Sequence, residues 1–382
     1  MIDQNEKALL LVIRAVLLDE SIPDSEPLDW TAILQEAREQ TVLSLIAEAV
    51  PEEFRCSLKT EDSQLKAKFM RVLHGQTQLV SLFRSAGIPL VILKGMAAAM
   101  YYPKPAARAM GDVDFLVPQE RFSDAMQLLE TNGYQPLGEE VPEERPRHVQ
   151  YAKGGVEYEL HHHFSSFDLD LEPIEADGLS RAVTHAIAGR EFPTLPNPEN
   201  ALVLLAHVRQ HLLESGLGLR QIIDWMQCLK SLTEEETVQL QAYAKETGLY
   251  TLACTINQIC NHHLGTSFDW GETVDAETEE ALLEHLFARG NFGRKLGSDR
   301  PVEAVSLSVR EQGLFPYLQS MGLLHWEAAQ KHAFLRPFAW MYTVCRYAKK
   351  GTRLLFRAPD QVQDQFTGGM KINSLLKKLG LD

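Results

Sequence analysis

The chain has 382 residues, 45% of them hydrophobic, and a formal net charge of −15. At roughly 100–200 residues per domain the length suggests two or three units, and the apolar content excludes global disorder. No apolar run of about 18 residues is present, so no transmembrane helix is expected. The opening MIDQNEKALLLVIRAVLLDE lacks a basic n-region, so no signal peptide is expected either.

The five cysteines (Cys56, Cys228, Cys254, Cys260 and Cys345) are odd in number and form no CxxC pair. They read as reduced thiols, which points to the cytoplasm. The acidic balance disfavours non-specific nucleic-acid binding. The charge is uneven, however. From Lys331 to Asp382 there are ten Lys/Arg against three Asp/Glu, a net of +7 that leaves −22 for the remainder. This basic tail either meets an anionic partner or packs on the acidic body.

Apolar residues at helical spacing predict a helix over Asp3 to Leu18, interrupted by Pro23 and Pro27. A second runs from Trp30 to Val50, and a third from about Thr60 to Ser85, stopped by Gly87 and Pro89. The texture then changes. Residues 89–94 (PLVILK) suit a buried strand, Met96 to Tyr102 a short helix, and Val113 to Val117 another strand. Pro118 starts a helix through Asn132, with Gly133 just past its end. Tyr134 to Leu137, His148 to Lys153 and Val156 to Phe164 read as strands, the last two joined by the turn Gly154-Gly155. After about Leu179 the chain is expected to be helical: Asn197 to Ser215, Leu219 to Leu232, Glu234 to Thr247, Tyr250 to Leu264, Asp275 to Phe287, and Leu314 to Leu355. The expected fold class is α+β, divided into an N-terminal helical segment (1–86), a mixed-sheet core (87–178) and a helical C-terminal domain (179–382).

The chemistry concentrates in the central region. Leu93-Lys94-Gly95-Met96 carries a strand into a helix through a glycine, and the new helix offers amides to a phosphate. In Gly111-Asp112-Val113-Asp114-Phe115-Leu116-Val117 two aspartates two apart project from one strand face. Like charges so placed are costly unless neutralised, and Mg²⁺ held by oxygen ligands would neutralise them. Glu157, Glu159 and His161 share a face of a later strand, where a third carboxylate would complete a metal-binding triad able to clamp a phosphoryl displacement. The bland alternative is that both faces are simply wet.

The run Lys94-Gly95, then Arg108-x-x-x-Asp112-Val113-Asp114-Phe115-Leu116-Val117, then Glu159-Leu160-His161 resembles the uncharacterised nucleotidyltransferase family. That family belongs to the DNA-polymerase-beta-like nucleotidyltransferase superfamily. The strict match covers about residues 90–165. A weaker one extends over Pro196, Pro198, His207, His211, Leu219, Arg220 and Asp224. The resemblance implies Mg²⁺-dependent transfer of a nucleoside monophosphate from an NTP to an acceptor hydroxyl, with release of pyrophosphate. Asp112, Asp114 and Glu159 would be catalytic and would hold two Mg²⁺ ions. Lys94, Gly95, Arg108, His161 and Arg220 would contact the bound nucleotide. Two departures stand out: Met96 replaces the small or hydroxyl residue usual after the glycine, and Glu159 stands where Asp is common. They leave an alternative open, a catalytically inactive nucleotide-binding or interaction module on the same scaffold.

Other features have two readings each. Arg108 contacts phosphate or is an ion-pair partner. Arg220 and Asp224, at i and i+4, pair with each other, or Arg220 reaches the nucleotide. Three consecutive histidines on a strand cannot chelate one ion, so of His161-His162-His163 only His161 and His163 could share a metal, and the pair His207/His211 has zinc-compatible spacing. A supporting role is the favoured reading for both groups. A metal-dependent hydrolase on the same carboxylates is a further rival. The aromatic and basic stretch from Phe334 to Lys350 fits an amphipathic helix at a membrane surface, a docking site for a nucleic-acid acceptor, or ordinary core packing.

Overall fold

The computed structural model describes residues 2–22, 28–137, 148–164, 169–214, 216–296, 314–346 and 372–381. Pro23, Pro27 and the far end of the last helical stretch (347–355) lie outside these.

The N-terminal part is helical, as its periodicity requires. α1 (Gln4–Leu18) opens on a capping box: Asp3 accepts from the Glu6 amide and Glu6 accepts from the Asp3 amide. The stretch expected as one helix from Trp30 to Val50 is two, α2 (Trp30–Glu39) and α3 (Leu43–Ile46), because Thr41 turns left-handed at φ 58° between them. α4 (Glu52–Ala86) is 35 residues long and ends on a left-handed Gly87. A Cβ at Gly75 would lie 2.4 Å from the Tyr158 hydroxyl, so this glycine lets α4 lie close against the sheet.

The centre is a seven-stranded mixed sheet built from β1 (Val91–Leu93), β2 (Val113–Leu116), β3 (Gln135–Pro136), β4 (His148–Lys153), β5 (Val156–His161), β6 (Val183–Ile187) and β7 (Arg190–Thr194). Its order is β3-β4-β5-β2-β1-β7-β6. β1 and β2 are antiparallel, and β2 and β5 are parallel. The β4–β5 turn places Gly154 and Gly155 at φ 60° and 72°, as a two-residue hairpin demands. α5 (Gly95–Ala99) follows β1, and α6 (Phe122–Thr131) follows β2.

One expectation is corrected. The chain does not become wholly helical after Leu179, because α7 (Glu172–Ser180) is followed by the β6–β7 hairpin, which joins the same sheet beside β1. Its turn has positive φ at Ala188 (50°) and Gly189 (72°). An alanine where Asn or Gly is usual, and Pro193 inside β7, hide the hairpin from a sequence reading.

The remaining helices are α8 (Asn197–Glu214), α9 (Leu219–Ser231), α10 (Glu234–Glu246), α11 (Tyr250–Leu264) and α12 (Ala276–Arg289). Helices also run over Leu314–His325 and Glu327–Lys331. One apolar core joins the N-terminal helices, the sheet and the later helices: Leu9, Ile33, Leu93, Trp225, Ile256 and Leu286 all belong to it. A second core fills the space under α4 and α6, where Phe83 and Phe115 meet edge-to-face at 5.4 Å. Leu375, Leu376 and Leu379 of the basic tail are buried in the first core, and Lys378 pairs with Glu277 at 2.9 Å. That part of the tail packs on the acidic body. Among the described residues, no helix is long and apolar enough to cross a membrane.

Candidate active site

The parallel pairing of β2 and β5 sets Asp114 directly opposite Glu159, while the antiparallel pairing of β1 sets Leu93 opposite Asp114. Three strands thus bring Lys94, Asp114, Glu159 and His161 to one place. Lys94 Nζ lies 2.5 Å from Asp114 Oδ1. His161 Nε2 lies 3.2 Å from the same oxygen and 3.5 Å from Glu159 Oε2. On the other side, Gln150 donates to Glu159 Oε1 at 2.6 Å, because β4 pairs it across from Glu159. Lys94 also rests over the Phe164 ring, 4.8 Å from its centroid.

At this turn the residue with positive φ is Lys94 (φ 47°, ψ −128°), just before Gly95 opens α5. A non-glycine residue there is strained, and the strained backbone belongs to the lysine whose ammonium sits on Asp114.

Electrostatics follow from burial and proximity. Burial and the neighbouring Asp112 charge push Asp114 up to about 6, against the pull of Lys94. Burial also acts on Glu159, but the hydrogen bond from His161 and the charge of Lys94 outweigh it and hold this carboxyl well below its usual range. Burial would lower His161 and Lys94, yet the surrounding carboxylates raise both. The cluster therefore holds Glu159 ionised and favours the charged forms of Lys94 and His161.

These groups open onto a cavity of about 370 Å³. Lys94, Gly95, Arg108, Asp112, Asp114, Glu159 and Arg220 all line it. His161 lies behind them, buried against Asp114 and Glu159. The oxygen and nitrogen atoms of Asp114, Glu159 and His161 lie within 4.8 Å of one another, the only such group of three among the described residues. Asp112 stands just before β2, outside that group, although it lines the same cavity. Two carboxylates at adjacent strand positions fit a hard divalent cation such as Mg²⁺. The imidazole is less suited to Mg²⁺ and better suited to orienting the carboxylates it bonds.

The opposite wall comes from the helices. Arg108 grips Asp224 with two bonds (Nε to Oδ1, 2.8 Å, and Nη2 to Oδ2, 2.7 Å), and the Tyr102 hydroxyl donates to Asp224 Oδ1 at 2.8 Å. The partner of Asp224 is thus Arg108 from the sheet side, rather than Arg220 one turn away on α9. Arg220 donates to the Ala109 carbonyl at 3.3 Å, and its Nε has no hydrogen-bond partner among the described residues. Burial and the charge of Arg108 pull its guanidinium down to about 10. His207 and His211 lie one helical turn apart on α8 with their Nε2 atoms at 2.7 Å. Burial drives both down, His211 to about 3, so both rings are neutral and one donates to the other. They line the cavity, while His162 and His163 bond each other through Nδ1 at 2.8 Å, so the three consecutive histidines do not converge.

The sequence reading missed Lys68, Gln210 and Phe292, which also line the cavity, and Phe164 beneath Lys94. No local pattern marks them, since they lie on α4, on α8, beyond α12 and after β5.

Facing carboxylates on neighbouring strands of a mixed sheet thus share one cavity with the strand–helix turn at Lys94-Gly95 and a wall of helical residues. The model of the uncharacterised nucleotidyltransferase family matches residues 26–265. That is well over half of the chain, and the chain belongs to this family. Among solved structures it is similar to the antibiotic-resistance factor ANT(2'')-Ia (15% identity, 50% of this chain and 99% of that one, TM-score 0.34). It is also similar to an antigenic nucleotidyltransferase-like protein from Paracoccidioides brasiliensis (15%, 48% and 91%, TM-score 0.30). A third similar structure is the lincosamide antibiotic adenylyltransferase LnuA (16%, 41% and 94%, TM-score 0.27). No curated protein matches.

Proposed function

We propose that this protein catalyses Mg²⁺-dependent transfer of a nucleoside monophosphate from an NTP to an acceptor hydroxyl, releasing pyrophosphate, in the cytoplasm. The observation that carries this reading is the register of β2 against β5, which sets Asp114 beside Glu159 in a cavity shared with Asp112. Asp112, Asp114 and Glu159 would hold the metal, and two bound Mg²⁺ ions would offset phosphate charge and acidify the acceptor hydroxyl. Glu159, kept ionised by His161 and Lys94, would take the acceptor's proton as its oxygen attacks the α-phosphorus. The bond to pyrophosphate breaks in the same displacement. Lys94 and the amides opening α5 from Gly95 offer positive charge and donors to the phosphates.

The test is incubation of the purified protein with labelled NTPs, Mg²⁺ and a cell extract. Wild type should label an acceptor, and Asp112→Ala/Asp114→Ala should not. Equal labelling by both proteins would remove the support for an enzyme. A second reading, an inactive nucleotide-binding module, is favoured by one observation: Lys94 Nζ already sits on Asp114 Oδ1, in competition with a cation. Calorimetry separates the two, because tight NTP binding with no pyrophosphate released supports the module.

A further inference from the structure

Phe292 is an outlier twice over. It is a large apolar side chain left 51% exposed at the wall of a polar cavity. It also holds a left-handed backbone (φ 57°, ψ 29°), which bulky residues rarely adopt. The surrounding turn is tightly determined. The Phe292 amide donates to the Gly216 carbonyl at 3.1 Å, and a Cβ on Gly216 would come within 2.8 Å of the Gly293 amide nitrogen. A Cβ on Gly218 would lie 2.6 Å from that of Asn291. The fold thus fixes the turn that presents this ring. The ring meets His211 edge-to-face at 4.6 Å, and the Arg220 guanidinium stands 5.4 Å from its centre.

Arg220 supplies the second observation. It is only 7% exposed, it lines the same cavity, and its Nε is an unsatisfied buried donor. A buried donor without a partner is costly, and a ligand acceptor in the cavity would satisfy it. A half-exposed aromatic ring beside an unused donor suits a flat ring with hydrogen-bond acceptors on its edge. The phosphate-binding candidates, Lys94 and Gly95, lie by the carboxylates, so the helical wall is left for the remainder of the donor.

We propose that Phe292 and Arg220 form the subsite for the nucleobase of the donor, with the base stacked on Phe292 and its edge bonded by Arg220 Nε. This rests on the nucleotidyltransferase reading above. Stacking of a base on an aromatic side chain is worth ~1–3 kcal/mol, which converts to about 5- to 150-fold in affinity.

The experiment is calorimetry on the full chain in Mg²⁺, with each of ATP, GTP, CTP and UTP and with inorganic tripolyphosphate. Wild type should bind its preferred NTP more tightly than tripolyphosphate. Phe292→Ala should weaken that NTP by about 5- to 150-fold and leave tripolyphosphate unchanged, while Phe292→Tyr should restore NTP affinity. Arg220→Lys, which loses Nε, should narrow the spread among the four NTPs. Unchanged NTP affinity in Phe292→Ala overturns the subsite and leaves the ring to the acceptor. Equal losses for NTP and tripolyphosphate overturn it in favour of a structural role for the turn. If wild type binds neither probe, the nucleotidyltransferase reading itself fails.

Discussion

The Arg108–Asp224 pair decides whether Arg108 serves the fold or the ligand. The two side chains are 4% and 2% exposed and share two hydrogen bonds, with Tyr102 adding a third to the carboxylate. The pair joins the segment before β2 to α9, so it ties the carboxylate wall of the cavity to the helical wall. Arg108→Ala would leave Asp224 buried and short of its cation. Breaking such a pair from one side costs about 3–5 kcal/mol. With an unfolding entropy of ~2.1 cal/mol/K per residue, 382 residues give about 0.8 kcal/mol/K, so the melting temperature should fall by roughly 4–6 °C. The double variant Arg108→Met/Asp224→Leu, which removes both charges at similar volume, should recover most of that loss. Calorimetric melting of wild type, Arg108→Ala and the double variant measures it. The reasoning is refuted if Arg108→Ala melts with wild type while losing NTP affinity, because Arg108 would then act on ligand and not as a latch.

Glu175 carries a pH prediction. Burial pushes its carboxyl up to about 7 from 4.5, against two bonds from the Phe164 amide (2.9 and 3.1 Å). Its folded value is raised, so its contribution is fully present below about 4.5 and is lost as pH rises through about 7. Relative to wild type, Glu175→Gln should gain roughly 3 kcal/mol of stability between those limits, and a flat difference across urea unfolding curves at several pH values would contradict it. Gly75→Val should destabilise by about 1–3 kcal/mol, since a Cβ there meets the hydroxyl of a buried Tyr158; a urea midpoint at or above that of wild type would show that the α4–sheet contact gives way freely. Glu159→Gln should abolish nucleotidyl transfer while the far-ultraviolet circular dichroism is kept; retained transfer would remove Glu159 from the metal site.

Much of the site is legible in the sequence because its key residues are locally patterned. A strand's period of two places Glu157, Glu159 and His161 on one face whatever the strand pairs with. The strand–glycine–helix turn is likewise visible at Lys94-Gly95. Other features were hidden for specific reasons. Ala188 and Pro193 mask the β6–β7 hairpin. Asp224 looks like the i+4 partner of Arg220, yet Arg108, 116 positions earlier, takes it. The ion pair goes to the guanidinium that reaches both carboxylate oxygens, and helical spacing says nothing of one arriving from another element.

The sequence by itself determined most of the elements, with the β6–β7 hairpin and the break at Thr41 as exceptions, because helix and strand periodicity, caps and turn residues act over a few neighbours. Only the tertiary structure decided which strands lie side by side, and with that the chemistry. Asp114 meets Glu159 because β2 runs parallel to β5, and Lys94 meets Asp114 because β1 lies antiparallel on its other edge. The cavity wall of Lys68, His207, Arg220 and Phe292 is assembled from segments distant in the chain. Burial raises Asp114 and neutralises His207 and His211, and burial is a property of packing that no local pattern encodes.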